Sequence, residues 1–520
     1  MTSLPGWLEP LYDAAEMRAC DTWAIEDDGV PSIDLMERAS LGLARLTARL
    51  ARPGLPIRVV VGMGNNGGDG LAAARLLREE GRVVDVLAVA PLDERNGDAL
   101  ANLKRLPGEP PEQFDPDRLD GSGAIVDALL GTGFAGELRK PVARAIGAIN
   151  AHDAPVIACD VPSGVDASTG EVLTDAVRAD ATATFHGSKV GLHVAPGAMH
   201  AGDVEIVEIG IARGAPSPTG AGLISGRVLD LLPRRGRFGS KFDSGVVAVA
   251  GGSRGLTGAP TMAALAAARA GAGYVQVAVP ASAHPALALR LLEQMAHAMP
   301  EADGAHTRDG VDPFLELAAR AGAVVLGPGL GRSDSAQAFA REVAARAEAP
   351  LLIDADGLNA HAGALEVLRD RAGPTVLTPH AGELGRLLGR DPKDVDASRL
   401  ASAREAADRS GAVVLLKGDD TIVAAPGGPV AVNPGATPAL ATAGTGDVLS
   451  GLIGALLAKG MAPFEAAALG ALAHARAGRA AAAHHGADHT IAGDVVDALP
   501  DGLRSRGESP GARGRAARFG

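Results

Sequence analysis

Two cysteines in 520 residues, Cys20 and Cys159, are too few and too far apart for a disulfide framework or a thiolate metal site. Aromatic residues make up 2% of the chain, so its cores must be built from Ala, Val, Leu and Ile. Arg, Gly or Pro interrupts every apolar stretch before it reaches the length of a membrane span. The opening "MTSLPGWLEPLYDAAEMRACD" lacks a basic region followed by an apolar run, so no secretory leader is expected. Positive charge is in deficit: 49 Lys and Arg against 62 Asp and Glu give a formal net charge of −13. That balance argues against non-specific binding to nucleic acid or an anionic membrane. Together these absences predict a soluble cytoplasmic protein with no nucleic-acid or membrane partner.

What is present is glycine, 69 residues of it, and a repeating pattern. The length asks for two or three domains. Leu35, Met36, Ala39, Leu43, Leu46 and Leu50 keep one apolar face at helical spacing. Then "IRVVVG" (57–62) reads as a buried strand, followed by a glycine turn, a helix in "LAAARLLREEG" and a strand in "RVVDVLAVA". The order repeats through "AIVDALLG" (124–131) and "PVIACDVPSG" (155–164). "ARGAPSPTGAG" (212–222) breaks the pattern and reads as a linker. The pattern restarts with "GVVAVAGG", "YVQVAVP", "AVVLGPGLG", "LLIDADG", "TVLTPHAGE" and "AVVLLKGDD", then a hairpin around Gly427-Gly428. Strands alternating with helices predict parallel sheets covered on both faces. The domains expected are 11–212, a linker at 213–225, 226–500, and an aperiodic Arg- and Gly-rich tail at 501–520. Arg513, Arg515 and Arg518 in that tail read as solvated.

Nearly every strand ends in Gly, Asp, His or Lys, and open parallel sheets bind ligands at the carboxyl ends of their strands. In the first half, Gly62, Gly64 and Gly67 match a dinucleotide glycine turn, with Asp85 roughly where a ribose-binding acid would stand. Asp85 lies inside a strand rather than at its end, and the turn also carries Asn65, Asn66 and Asp69. Those oxygens suit a cation or hydroxyl groups better than a pyrophosphate; capped glycine turns carry the same residues for purely structural reasons. Asn66, Asp127 and Ser163 could ligate a hard cation, and Asp160 could act as a general acid or base.

"NNGGDGLAAARLL", "DALLGTGFAGEL" and "DVPSGVDASTG" closely resemble the NAD(P)H-hydrate epimerase domain, over about residues 11–212. The resemblance implies a Rossmann-like three-layer αβα domain that interconverts the R and S epimers of hydrated NAD(P)H. It implies a substrate site of Asn65, Asn66, Gly67, Gly68, Asp69, Gly131, Thr132, Gly133, Phe134, Ala135, Gly136, Glu137 and Asp160. It also implies K⁺ near Asn66, Asp127 and Ser163, with Asp160 assisting the reaction.

In the second half, "ATAGTGDVLSGLIGALLAKG" (441–460) is a glycine turn opening an amphipathic helix, a ready anion site with Asp447 in its first turn. Asp447 could equally be a helix-capping acid. Asp354, Asp356 and Asn359 cluster at one strand end, His380 and Glu383 at the next, and Lys417 to Thr421 at a third. So many oxygens could hold Mg²⁺ through water and phosphates.

The layout resembles the ribokinase-like fold, whose members use a glycine anion hole and an Asp base to direct a hydroxyl at a nucleotide's terminal phosphate. His380-Ala-Gly-Glu383 stands where sugar kinases usually carry N-x-x-E. With "GPGLG", "DADGLNA" and "KGDDT" it resembles the ADP-dependent NAD(P)H-hydrate dehydratase branch. That resemblance implies that Ala259, Gly329, His380 and Asp447 contact the hydrated dinucleotide. It implies that Lys417, Gly418, Asp419, Asp420, Thr421 and Gly446 contact ADP, the co-substrate. Two other readings remain: a ribokinase-like small-molecule kinase with an accessory α/β domain, and a dinucleotide-binding sensor without catalysis. Homo-oligomers are expected, packed through alanine-rich helix faces at 263–272 and 464–483. His484, His485 and His489 read as surface residues.

Overall fold

The computed structural model describes residues 4–91 and 95–505, which divide into two compact units. One comprises Pro10–Gly222; the other comprises Leu223 onward together with Pro5–Glu9. Trp7 joins the second unit by packing on Phe464, with ring centroids 5.6 Å apart. Its carbonyl accepts hydrogen bonds from Ser225 N at 3.1 Å and Ser225 Oγ at 2.7 Å. The segment expected as a linker therefore holds an ordered strand, Ala221–Ile224, at its end.

In the first unit seven strands form one parallel sheet. Their order is Glu112–Gln113, Val84–Ala88, Ile57–Val61, Ala124–Ala128, Val156–Cys159, Ala181–Phe185 and Asp203–Val207. The central strands are buried on both faces, as their unbroken Val, Ile and Ala runs require. Helices Ser32–Leu50 and Asn65–Glu79 cover one face and Lys140–Asn150 the other, giving three layers. Gly70 lets Asn65–Glu79 approach the sheet closely: a Cβ on it would lie 2.5 Å from Ala128 Cβ. Asp85 faces Arg58 across the strand register and forms an ion pair with it, so it is engaged within the sheet.

The second unit's sheet runs Leu8–Leu11, Ala221–Ile224, Val430–Val432, Ile422–Ala424, Val413–Leu416, Thr375–Leu377, Leu351–Ile353, Ala323–Leu326, Val246–Ala250, Tyr274–Pro280 and Met295–Met299. From Val413–Leu416 to Met295–Met299 every pairing is parallel. The hairpin expected around Gly427-Gly428 is the antiparallel pair Ile422–Ala424 and Val430–Val432.

Helices Gly258–Arg269, Thr445–Ala458, Pro463–His485 and Ala492–Gly502 pack on one another. This corrects the oligomer argument. Ala263, Ala264, Ala266 and Ala267, like Ala466, Ala467, Ala468 and Ala471, are buried within the unit and are not free faces for a partner. The last helix runs to Gly502, inside the stretch expected as a tail; residues 506–520, with Arg513, Arg515 and Arg518, lie outside the described residues. No helix among the described residues is long and apolar enough to cross a membrane.

Candidate active sites

At the carboxyl ends of the first unit's strands lies a cavity of about 1020 Å³. Asn65, Asn66, Asp69, Gly131, Thr132, Gly133, Phe134, Ala135, Glu137 and Asp160 line it. Gly67 and Gly68 are buried in the turn behind, and Gly136 is an exposed member of the loop.

Asp160 ends its strand at φ +67, a left-handed conformation that non-glycine residues seldom hold unless their surroundings over-determine it. Here they do. Asp160 Oδ1 accepts from Lys189 Nζ at 2.6 Å, and more weakly from Thr184 Oγ1 and Phe185 N, each at 3.4 Å. Its Oδ2 accepts from Thr132 N at 3.3 Å and from the Thr132 hydroxyl. Burial pushes the Asp160 carboxyl up, but the Lys189 ammonium and these hydrogen bonds outweigh it and hold it below the ordinary value.

Lys189, which sequence reasoning missed, is 1% exposed and also donates to Thr184 Oγ1 at 3.0 Å and Phe185 O at 2.8 Å. Asp69 is buried in the cavity wall. Burial, then the charges of Asp160 and Asp21, raise it well above the carboxylate range, and its Oδ1 has no hydrogen-bond partner.

The three residues expected to hold K⁺ come together around one backbone segment. Asn66 Nδ2 donates to Leu130 O at 2.8 Å, and Leu130 N donates to Ser163 Oγ at 2.9 Å. Asp127, fully buried, accepts from Ser163 Oγ at 2.6 Å and Ser163 N at 2.8 Å. Burial pushes Asp127 up to about 6, with the Ser163 bonds opposing. The cluster offers hard oxygens and no thiolate or imidazole, which fits an alkali cation.

In the second unit the separate sequence clusters converge. Lys417 Nζ lies 2.9 Å from Asp354 Oδ1 and 3.7 Å from Glu383 Oε2, and Ser450 Oγ donates to Asp354 Oδ2 at 2.6 Å. Burial lowers the Lys417 ammonium's basicity, but Asp354 and Glu383 outweigh it and keep the group charged. A Cβ on Gly446 would lie 3.6 Å from Lys417 Nζ, so the lysine stands beside the glycine turn.

Gly444 caps the helix Thr445–Ala458 at φ +93, a conformation that suits glycine. No side chain caps this helix, so Asp447 is not the capping acid it could have been. The amides of Gly444, Thr445 and Gly446 are those expected to form the anion hole, and of these Thr445 N is engaged by Thr442 O at 3.3 Å. Those of Gly446 and Asp447 remain as first-turn donors. Burial first, then Asp354, pushes the Asp447 carboxyl up to about 7, with Lys417 opposing and Glu383 and Asp356 adding to the rise.

His380 caps the helix Ala381–Leu388: its Nδ1 accepts from Gly382 N at 3.0 Å and Glu383 N at 3.3 Å, while Glu383 Oε2 accepts from His380 N at 3.0 Å. Burial holds the imidazole below its ordinary value, against the pull of Glu383, so Nδ1 stays an acceptor. Gly329 and Ala259 are neighbours; a Cβ on the glycine would lie 3.2 Å from the alanine's.

In the 417–421 turn, Asp419 Oδ1 accepts from Ala436 N at 3.1 Å and Thr421 Oγ1 donates to Gly418 O at 2.7 Å. Asp420 is paired with the buried Arg399. His474, also missed, is buried on Pro463–His485; burial pushes its imidazole down to about 4, with the Thr445 backbone opposing. His484, His485 and His489 are exposed, as expected. Among the described residues no group of three His, Cys, Asp or Glu is placed to hold a metal.

Two parallel sheets, each with polar and acidic groups gathered at its strand ends, define a two-domain α/β enzyme, Rossmann-like in its first unit and ribokinase-like in its second. Residues 247–501 match the family model of NAD(P)H-hydrate dehydratase, and residues 32–191 match that of the YjeF-related protein N-terminus. A bifunctional NAD(P)H-hydrate repair enzyme of Moorella thermoacetica is 40% identical over 512 residues, 95% of this chain and 97% of its own. The chain belongs to the bifunctional NAD(P)H-hydrate repair enzyme family. The Salinibacter ruber member is 41% identical over 530 residues, 94% of this chain and 95% of its own. A solved ADP/ATP-dependent NAD(P)H-hydrate dehydratase from Bacillus subtilis is 28% identical, spans 55% of this chain and 97% of its own, and superposes with a TM-score of 0.47.

Proposed function

We propose that the first unit interconverts the R and S epimers of hydrated NAD(P)H. The second unit then dehydrates the S epimer with ADP, yielding NAD(P)H, AMP and phosphate. The observation that carries the dehydratase half is the Asp447 carboxyl, held near 7 beside the first-turn amides and Lys417. A carboxylate with that affinity is matched to taking a proton at neutral pH.

The hydrate bears a hydroxyl on the carbon next to the ring nitrogen. Asp447 removes the hydroxyl proton as that oxygen attacks the terminal phosphorus of ADP, and the bond to AMP breaks. The Gly446 and Asp447 amides stabilise the charge that develops on the phosphoryl oxygens. The ring-nitrogen lone pair then expels phosphate, the neighbouring ring carbon gives up a proton, and the dihydropyridine is restored. Ala259, Gly329 and His380 hold the dinucleotide, and Lys417 to Thr421 with Gly446 hold ADP.

In the first unit, Asp160 assists the epimerisation, with Asn65 to Asp69 and Gly131 to Glu137 around the substrate. Asn66, Asp127 and Ser163 would hold K⁺, which would supply a fixed positive charge beside the glycine turn. Among the described residues of the second unit Mg²⁺ has no protein cage, because Lys417 and Ser450 engage Asp354, and Arg332 and Asn359 engage Asp356. It would be held through the nucleotide's phosphates and water and neutralise their charge.

The test is to incubate the protein with mixed R,S-NADHX and ADP and follow the return of NADH absorbance. Full recovery supports both halves. Recovery of only the S fraction in Asp160→Ala, and none in Asp447→Ala, assigns them. No recovery with ADP or ATP sinks the proposal, and a stable phosphorylated product favours a small-molecule kinase.

A further inference from the structure

The helix Ala14–Glu26 is pinned at its start by a reciprocal cap: Asp13 Oδ1 accepts from Ala15 N at 2.8 Å and Glu16 N at 2.7 Å, and Glu16 Oε2 accepts from Asp13 N at 3.0 Å. Met17, Asp21 and Ile25, at helical spacing, form its face toward the first unit's cavity. Asp21 is half-buried there. Three influences act on its carboxyl: burial, which raises it, the Lys189 ammonium, which lowers it, and the Asp160 carboxylate, which raises it, with the net result about 6. No protein hydrogen bond among the described residues holds it.

Asp160 on the same cavity is the opposite case, locked by Lys189 and Thr132 and kept ionised. Two carboxyl groups that share a site, with environments that push their proton affinities apart, are suited to act as an acid and a base. The other charged residues lining the cavity are Arg18, Asp69, Asp98, Glu137 and Arg139, and Glu16 and Cys20 flank Asp21 on its own helix.

We propose that Asp21 is a catalytic residue of the epimerisation, giving a proton to the hydroxyl on the hydrated ring carbon while Asp160 receives one from the water that returns. This rests on the epimerase reading above. The Asp21 proton passes to the hydroxyl oxygen and the carbon–oxygen bond breaks. The ring-nitrogen lone pair becomes the second bond of a carbon–nitrogen double bond, and water is released. Water then adds to the opposite face, the double-bond pair returns to nitrogen, and one water proton passes to Asp160. Solvent carries that proton back to Asp21, so the sum is inversion with every atom accounted for.

The experiment uses the full chain and pure R-hydrate without ADP, in ¹⁸O-labelled water. Expected for the wild type is entry of one ¹⁸O per inversion, with a rate that falls on the alkaline side. Asp21→Asn slows inversion and ¹⁸O entry together by about 100-fold or more and abolishes that alkaline limb. It leaves ADP-dependent dehydration of the S-hydrate, in the other unit, unchanged, and Asp21→Glu recovers part of the rate. Inversion by Asp21→Asn at the wild-type rate, or wild-type inversion without ¹⁸O entry, overturns the proposal while leaving the epimerase reading intact. A wild type that does not invert the substrate removes both.

Discussion

Lys189 Nζ lies 2.6 Å from Asp160 Oδ1, with the lysine side chain 1% exposed and the aspartate's 12%. Taking one partner away would leave the other as an uncompensated buried charge, at about 3–5 kcal/mol. Lys189→Met and Asp160→Leu should therefore each lower the first unit's melting temperature sharply. The double variant should recover much of that loss, since a buried pair replaced by apolar groups is often near neutral. Epimerisation should be absent in all three. Equal losses that simply add in the double variant would show that the pair is not coupled.

Asp447 predicts a pH dependence with a definite sign. Its folded-state affinity, about 7, lies above the ordinary carboxylate value of about 3.9. Between those limits the folded chain keeps a proton that the unfolded chain has lost, so this group's contribution to stability falls as pH rises. Asp447→Asn removes that penalty. It should be more stable than wild type above pH 7 and nearly equal at pH 4, as thermal melts would report. Activity runs the other way: dehydration should rise through about pH 7 in the wild type as Asp447 ionises, and be lost in Asp447→Asn.

Much of the second site was legible in the sequence because a parallel sheet brings its strand ends to one edge. Reading "DADG", "PHAGE" and "KGDD" as strand ends, and "AGTGD" as a glycine turn opening a helix, was enough to point to Asp354, His380, Lys417 and Asp447. Lys189, Asp21 and Arg399 were not legible. Nothing local marks a lysine in "FHGSK" or an arginine opening a helix as buried; only tertiary packing buries them. Asp21 belongs to no turn motif; a helix cap and the cavity wall select it. The pairing of Pro5–Glu9 with the second unit is equally nonlocal, since nothing in five residues names a partner two hundred positions away. Asp85, by contrast, was correctly discounted from its place inside a strand, where Arg58 meets it.

The Asp127–Ser163 contact carries a metal prediction. Ser163→Ala removes the 2.6 Å donor to Asp127 Oδ1 and leaves it Leu129 N at 3.2 Å, a loss of about 0.5–1.5 kcal/mol. If K⁺ sits on Asn66, Asp127 and Ser163, exchanging potassium chloride for choline chloride at equal ionic strength should slow wild-type epimerisation and lower its melting temperature. Ser163→Ala should show neither response. A wild type indifferent to the cation would remove K⁺ from the site.

Arg399 is the support on which the 417–421 turn rests. Its Nε donates to Asp420 Oδ2 at 3.0 Å, its second guanidinium nitrogen lies 2.9 Å from Asp420 Oδ1, and that same nitrogen donates to Lys417 O at 3.3 Å. Both partners are about 6% exposed. The guanidinium occupies the space beside Gly418, where a Cβ would come within 2.2 Å of it. Arg399→Met should therefore release the turn, raising KM for ADP about tenfold, equivalent to about 1.4 kcal/mol of binding. Its effect on KM for the S-hydrate should be smaller, and epimerisation should be unchanged. Gly418→Ala should act in the same direction, because the paired guanidinium cannot swing aside without stranding Asp420. Steady-state kinetics with each substrate varied in turn checks this. An unchanged KM for ADP in both variants would mean that the 417–421 turn does not carry the nucleotide.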